Sequence, residues 1–184
     1  MFIDSHCHIN FPDLISDLDG VIQRMSDANV EKALCVSVST TTLPEIIKIT
    51  NSYLNIYGSA GVHPNEKEAQ EPTLETLVNL SANEKIIAIG ETGLDYFRSE
   101  GDMSWQQERF RRHIRCAKEV GKPLIVHTRE APQDTIRIMK EEGASQAGGV
   151  MHCFTESYEM AEAAINMGFM ISFSGIVTFK NATQ

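Results

Sequence analysis

His6 and His8 stand two residues apart in FIDSHCH, and Glu91, His127 and His152 follow in separate short runs further along the chain. In a β-strand, residues i and i+2 share a face, so His6 and His8 point one way and Cys7 the other. Two imidazoles on one face can hold one metal ion at about 2.0–2.1 Å each. Imidazole suits zinc and related ions, and carboxylate extends the range to manganese or magnesium. One glutamate among four histidines is well suited to touching two ions. Ions about 3.5–4 Å apart can activate water and clamp both oxygens of an in-line displacement. A lone H-x-H pair also fits two hydrogen-bonded structural histidines. Five ligand-type residues at strand ends point instead to a metal or catalytic site.

Such a site needs elements that bring distant residues together. β-rich runs alternate with helical periodicity: residues 2–8, 32–38, 55–63, 85–91, 122–128, 148–154 and 169–175 read as strands. Between them lie apolar stripes such as Leu18, Val21, Ile22 and Met25, or Phe110, Ile114 and Ala117. Pro44 and Pro72 fall near expected helix starts. Repeated β/α units require a parallel sheet, open or closed. On this pattern His6, His8, His63, Glu91, His127 and His152 all fall at carboxyl ends of strands, and only His113 lies mid-helix. In an open sheet they would spread along one edge. In a barrel they converge on one mouth, where such enzymes place their chemistry. The expected fold is therefore α/β, a TIM (β/α)8-type barrel of which about seven strands are visible.

Other residues near the expected mouth leave alternatives open. Arg129 suits bidentate grip of a phosphate oxygen, or a rim salt bridge with Glu130 or a neighbour. His63, in GVHPN, suits a substrate contact or a loop cap. Asp95 and Tyr96 suit the mouth or a turn. Cys7 and Cys153 are expected to pack outward as inert thiols. RFRRHIRCAKEVGK (109–122) is expected to be the solvated outer face of a barrel helix rather than a nucleic-acid patch.

Composition narrows the class. A 42% hydrophobic content in 184 residues suits one globular domain. No apolar run approaches the ~20 residues of a membrane span, and no secretory signal pattern is present. Four cysteines without C-x-x-C spacing suggest reduced thiols and a cytoplasmic location. A net charge of −9 opposes broad electrostatic coating of duplex DNA. It leaves open an enzyme that neutralises phosphate with bound metal ions.

Six motifs in order, IDSHCH, AGVHP, IGETGLDY, PLIVHTREA, MHCFTE and ISFSGIVTF, resemble the TatD family of metal-dependent deoxyribonucleases. The resemblance implies an amidohydrolase-like barrel over residues 1–184 and two divalent ions (Mg, Mn or Zn). It implies hydrolysis of DNA phosphodiesters from a 3′ end, the partner being single-stranded DNA or 3′ ends, with no membrane and no obligate protein partner. By position, His6 and His8 would hold one ion, His127 and His152 the other, and Glu91 would touch both and be catalytic; His63 and Arg129 would contact substrate. The family continues through an eighth strand bearing an aspartate ligand, whereas this chain stops at KNATQ. The expectation is thus a C-terminally incomplete barrel whose first and seventh strands do not pair. A hydrolase of another small ester or amide, or an inactive fragment of such an enzyme, are the alternatives.

Overall fold

The structure, a computed structural model, describes residues 1–67 and 70–182, so the last two residues of KNATQ lie outside it. Each strand is followed by a helical segment: β1 (Phe2–Cys7), α1 (Pro12–Ile15), α2 (Leu18–Asp27), β2 (Val30–Cys35), α3 (Leu43–Ser52), β3 (Ile56–Ala60) and α4 (Leu74–Leu80). The alternation continues with β4 (Ile86–Asp95), α5 (Ser104–Val120), β5 (Leu124–Arg129), α6 (Pro132–Glu141), β6 (Gly149–Met151), α7 (Tyr158–Asn166) and β7 (Phe169–Ile171). All strands pair in parallel in the order β1-β2-β3-β4-β5-β6-β7. β1 and β7 are the two edges, and no ladder joins them among the described residues.

The sheet curls as a barrel does. His6 on β1 and His152 just past β6 belong to strands far apart in the sheet, yet their rings stack with centroids 3.4 Å apart. Inside the curl, Val36, Ala88 and Ile125 pack together. Outside it, two larger cores bury the helix stripes. Leu18, Val21, Ile22 and Met25 of α2 pack with Cys7, Cys35, Ile46 and Ile56. Phe110, Ile114 and Ala117 of α5 pack with Leu94, Leu124 and Ile138. Burial of this apolar surface is the main source of stability.

Cys7 points outward as strand alternation requires, its thiol donating to the Leu34 carbonyl at 3.3 Å. Burial pushes the Cys7 thiol up to about 12 and the Cys35 and Cys116 thiols up to about 11, so these thiols stay protonated and unreactive. Cys153 lies in the turn beyond β6 with φ 46°.

Several boundaries differ from the sequence pattern: β1, β2, β6 and β7 end early, at Cys7, Cys35, Met151 and Ile171, which leaves His8 and His152 just past their strands. β3 ends at Ala60, so His63 sits in the following loop rather than on the strand. β4 runs on to Asp95, which places Glu91 inside the strand. Arg129 is the last residue of β5 rather than a residue beyond it. The extension of β4 depends on Gly93. That residue pairs laterally with His127 and has φ 133°, and a Cβ there would lie 1.9 Å from the His127 carbonyl oxygen. Gly93→Ala is therefore expected to cost about 3 kcal/mol or more, from overpacking and backbone strain together. Urea denaturation of the variant checks this, and an unchanged midpoint would contradict it.

Candidate metal centre

β1 and the residue after it supply the first histidines. His6 Nε2 and His8 Nε2 lie 3.3 Å apart, and His6 Nε2 is 3.3 Å from Glu91 Oε2. Glu91 is only 4% exposed. Its other oxygen, Oε1, is 3.3 Å from His127 Nδ1 and 3.6 Å from His63 Nε2. One buried carboxylate thus divides its two oxygens between two histidine groups. Donor atoms of His6, His8 and Glu91 form one compact set; those of His63, Glu91 and His127 form a second.

The first set fits a metal ion. Ligands at about 2.0–2.1 Å in tetrahedral array lie about 3.3–3.4 Å from one another, which matches the spacings within the His6, His8 and Glu91 set. His8 Nδ1–H donates to the Val36 carbonyl at 3.0 Å, which fixes the tautomer and leaves the Nε2 lone pair facing His6 and Glu91. His6 Nδ1 is buried without a hydrogen-bond partner.

The second set contains two different roles. His127 Nε2 is 3.1 Å from Asp95 Oδ2. A carboxylate bonded to the far nitrogen of an imidazole is the usual support for a metal-ligating histidine, here leaving Nδ1 for the ion. Without an ion, burial would lower the His127 pKa, but the bonds to Asp95 and Glu91 outweigh burial and push it up to about 9. Burial would raise Glu91, yet the bonds from His127 and His6 hold it well below the usual carboxylate range. Asp95 is likewise held low by His127 and Asn65 against the effect of burial. His63 is different. Its Nδ1 accepts the Asn65 backbone N–H at 3.1 Å, so a neutral ring carries its proton on Nε2. That atom faces Glu91 as a donor, which suits a substrate or carboxylate contact better than ligation.

His152, which the family resemblance groups with His127, stacks face to face on His6 at an interplanar angle of 7°. Its donor atoms belong to neither compact set among the described residues. Burial and the neighbouring His6 push its pKa down to about 4. The Arg129 guanidinium lies 3.8 Å above the Phe97 ring and makes no ion pair among the described residues, so the salt bridge with Glu130 is not formed. Asp95 serves both alternatives left open for it. It supports His127 and also accepts the Arg98 backbone N–H at 2.9 Å, closing the turn. Tyr96 is tied elsewhere, donating its hydroxyl to Asp134 at 2.7 Å.

The expectation that 109–122 is simply a solvated face needs correction. Arg109 is 1% exposed and His113 fully buried. Arg109 pairs with Glu71 and donates to the His63 carbonyl at 2.8 Å. His113 Nε2 accepts the Val62 N–H at 3.1 Å, and its Nδ1 donates to the Arg109 carbonyl. Gln106, one turn earlier, holds the Pro64 carbonyl and the Asp95 backbone N–H. The inner face of α5 therefore fastens the GVHPN loop and the end of β4, which carry His63 and Asp95. Arg111, Arg112 and Arg115 do face outward, pairing with Glu141, Glu142, Glu71 and Glu108. The outer side of the helix is a solvated ion-pair network.

Burial pushes the His113 pKa down to about 4, whereas an unfolded histidine titrates near about 6.5. Between those values the unfolded chain takes up a proton that the folded chain refuses, so stability falls as pH drops through that window. His113→Gln is expected to flatten that part of the profile by up to about 1.4 kcal/mol per pH unit. Chemical denaturation at pH 6.5 and 4.5 measures the slope, and identical slopes in parent and variant would contradict this role.

A parallel, curled β/α sheet with histidines and a shared carboxylate gathered at its carboxyl ends defines a barrel-type domain with a candidate metal centre at its mouth. Comparison with known proteins makes this more specific. The chain belongs to the TatD family: residues 3–184 match the model described as TatD related DNase. A metal-dependent hydrolase of Bacillus subtilis named YabD is 42% identical over 185 residues, covering 100% of this chain and 72% of that protein. The Escherichia coli K12 hydrolase YcfH is 42% identical over 189 residues, covering 99% and 69%. Among solved structures, the E. coli TatD homologue YJJV superposes with a TM-score of 0.87 at 27% identity, covering 98% of this chain and 71% of that one. A Saccharomyces cerevisiae amidohydrolase at 18% identity shares the fold, with a TM-score of 0.75. No helix among the described residues is long and apolar enough to cross a membrane.

Proposed function

We propose that the chain hydrolyses DNA phosphodiester bonds, trimming single strands from the 3′ end with two divalent ions. The observation that carries this reading is Glu91: its two oxygens face separate histidine groups at 3.3 Å, the placement a carboxylate needs to touch a pair of ions. When bound, such ions polarise a phosphoryl oxygen and lower the pKa of water. The chain's own residues do the rest. His6, His8 and His127 would hold the ions, with His152 beside His6. Val36 and Asp95 fix the ring orientations of His8 and His127. His63 presents Nε2–H to the reacting phosphate, and Arg129 offers a bidentate donor to a non-bridging oxygen. Net charge of −9 means that phosphate attraction is local to this mouth rather than a property of the whole surface.

The test is a substrate panel on the metal-loaded protein. It includes single-stranded oligonucleotides labelled at either end, small esters and small amides. Metal-dependent shortening from the 3′ end, abolished by chelator, is expected. Turnover of the esters or amides with intact oligonucleotides would overturn the reading in favour of a different hydrolase on the same scaffold.

A further inference from the structure

Charge compensation is uneven in this acidic protein. Arg24, Arg109, Arg111, Arg112, Arg115 and Arg137 each pair with a carboxylate. Among the described residues Arg98 and Arg129 pair with none; Arg98 lies just past β4, which carries Glu91, and Arg129 ends β5, which carries His127. A guanidinium left unpaired in a chain of net charge −9 is well placed for an external anion.

Arg98 lines a cavity of about 320 Å³ that also includes Glu91, His8 and His63, so it opens on the metal centre. Phe11 forms another part of its wall. The ring is stacked on His8 at 4.7 Å and 14°, and is still 40% exposed. Asn65 lines the cavity as well. Its amide nitrogen is committed to Asp95 at 2.8 Å and its side-chain oxygen is buried, so Asn65 braces the wall. An unpaired cation and an open aromatic face thus lie on one cavity beside the reacting centre. These match two parts of one ligand: a phosphate and a planar base.

We propose that this cavity is the subsite for one nucleotide unit of the substrate, with Arg98 binding its phosphate and Phe11 stacking its base. The assignment rests on the phosphodiesterase reading and adds where the nucleotide is held. Stacking on an aromatic face tolerates any base, so the subsite predicts little sequence preference.

Calorimetric titration of the metal-loaded protein with thymidine 5′-monophosphate and with deoxyribose 5-phosphate separates the parts. Both ligands carry the same phosphate, so their difference reports the base. The parent is expected to bind the nucleotide about tenfold more tightly than the sugar phosphate. Phe11→Ala should erase that preference and Phe11→Trp retain it. Arg98→Gln should weaken both ligands by a similar factor, about tenfold. A preference that survives Phe11→Ala, or affinities unmoved by Arg98→Gln, would overturn the subsite. No turnover is involved. A protein that binds nucleotide in the expected way yet leaves oligonucleotides intact would overturn the DNA-cleavage reading and support the subsite.

Discussion

Glu91→Gln is expected to lower metal-dependent turnover by more than about 100-fold, because even groups that only orient a metal ligand are worth about 10–100-fold. The side chain is buried, and glutamine matches its shape, so the fold should persist. The difference is charge. Each carboxylate oxygen now accepts from, or faces, a histidine nitrogen of a different group. An amide offers one oxygen and one nitrogen, so one of the two groups loses its shared ligand. Turnover and bound metal are therefore expected to fall together. Turnover equal to the parent's, with a normal circular dichroism spectrum, would show that Glu91 is a structural carboxylate.

Arg109→Ala is expected to cost about 2–4 kcal/mol of stability, or roughly 5–15 °C in melting temperature. The guanidinium is buried, whereas its partner Glu71 is 40% exposed, which keeps the cost below that of breaking a fully buried pair. Most of the loss comes from the His63 carbonyl, which forfeits a donor at 2.8 Å, and from the space left beneath Trp105, whose ring the guanidinium faces at 5.0 Å. Because His63 is two residues from Asn65, the loosened loop is also expected to impair substrate handling. Thermal unfolding checks the first effect. A melting temperature within a degree or so of the parent's would contradict the account of α5 as the fastener of the mouth.

The strand half of this architecture was legible because its signal is local. Period-two alternation alone places His6 and His8 on one face, and their facing Nε2 atoms agree. The same rule extended along ETGLD puts Asp95 on the strand face of Glu91 and Gly93. The sequence leaves Asp95 between the mouth and a turn, because glycines at 90 and 93 suggest a turn rather than a continuing strand. The fastening residues of α5 were hidden for a different reason. Gln106, Arg109 and His113 follow a helical stripe, but their polarity resembles a solvated face. Burial of such groups needs partners, and these come from Val62, His63, Pro64 and Glu71, 38 to 51 residues away in the chain. No local pattern contains them. The stacking of His152 on His6 is equally non-local, since it depends on how far the sheet curls.

The central claim is that Glu91 organises a metal centre at this mouth. Elemental analysis of the protein purified without chelator, beside Glu91→Gln prepared identically, tests it most directly. Close to two divalent ions per chain, reduced to one or fewer in the variant, is the expected result. A parent protein that holds no ion, even after exposure to zinc or manganese, would contradict the claim and leave the histidine cluster as a hydrogen-bonded remnant of a hydrolase scaffold.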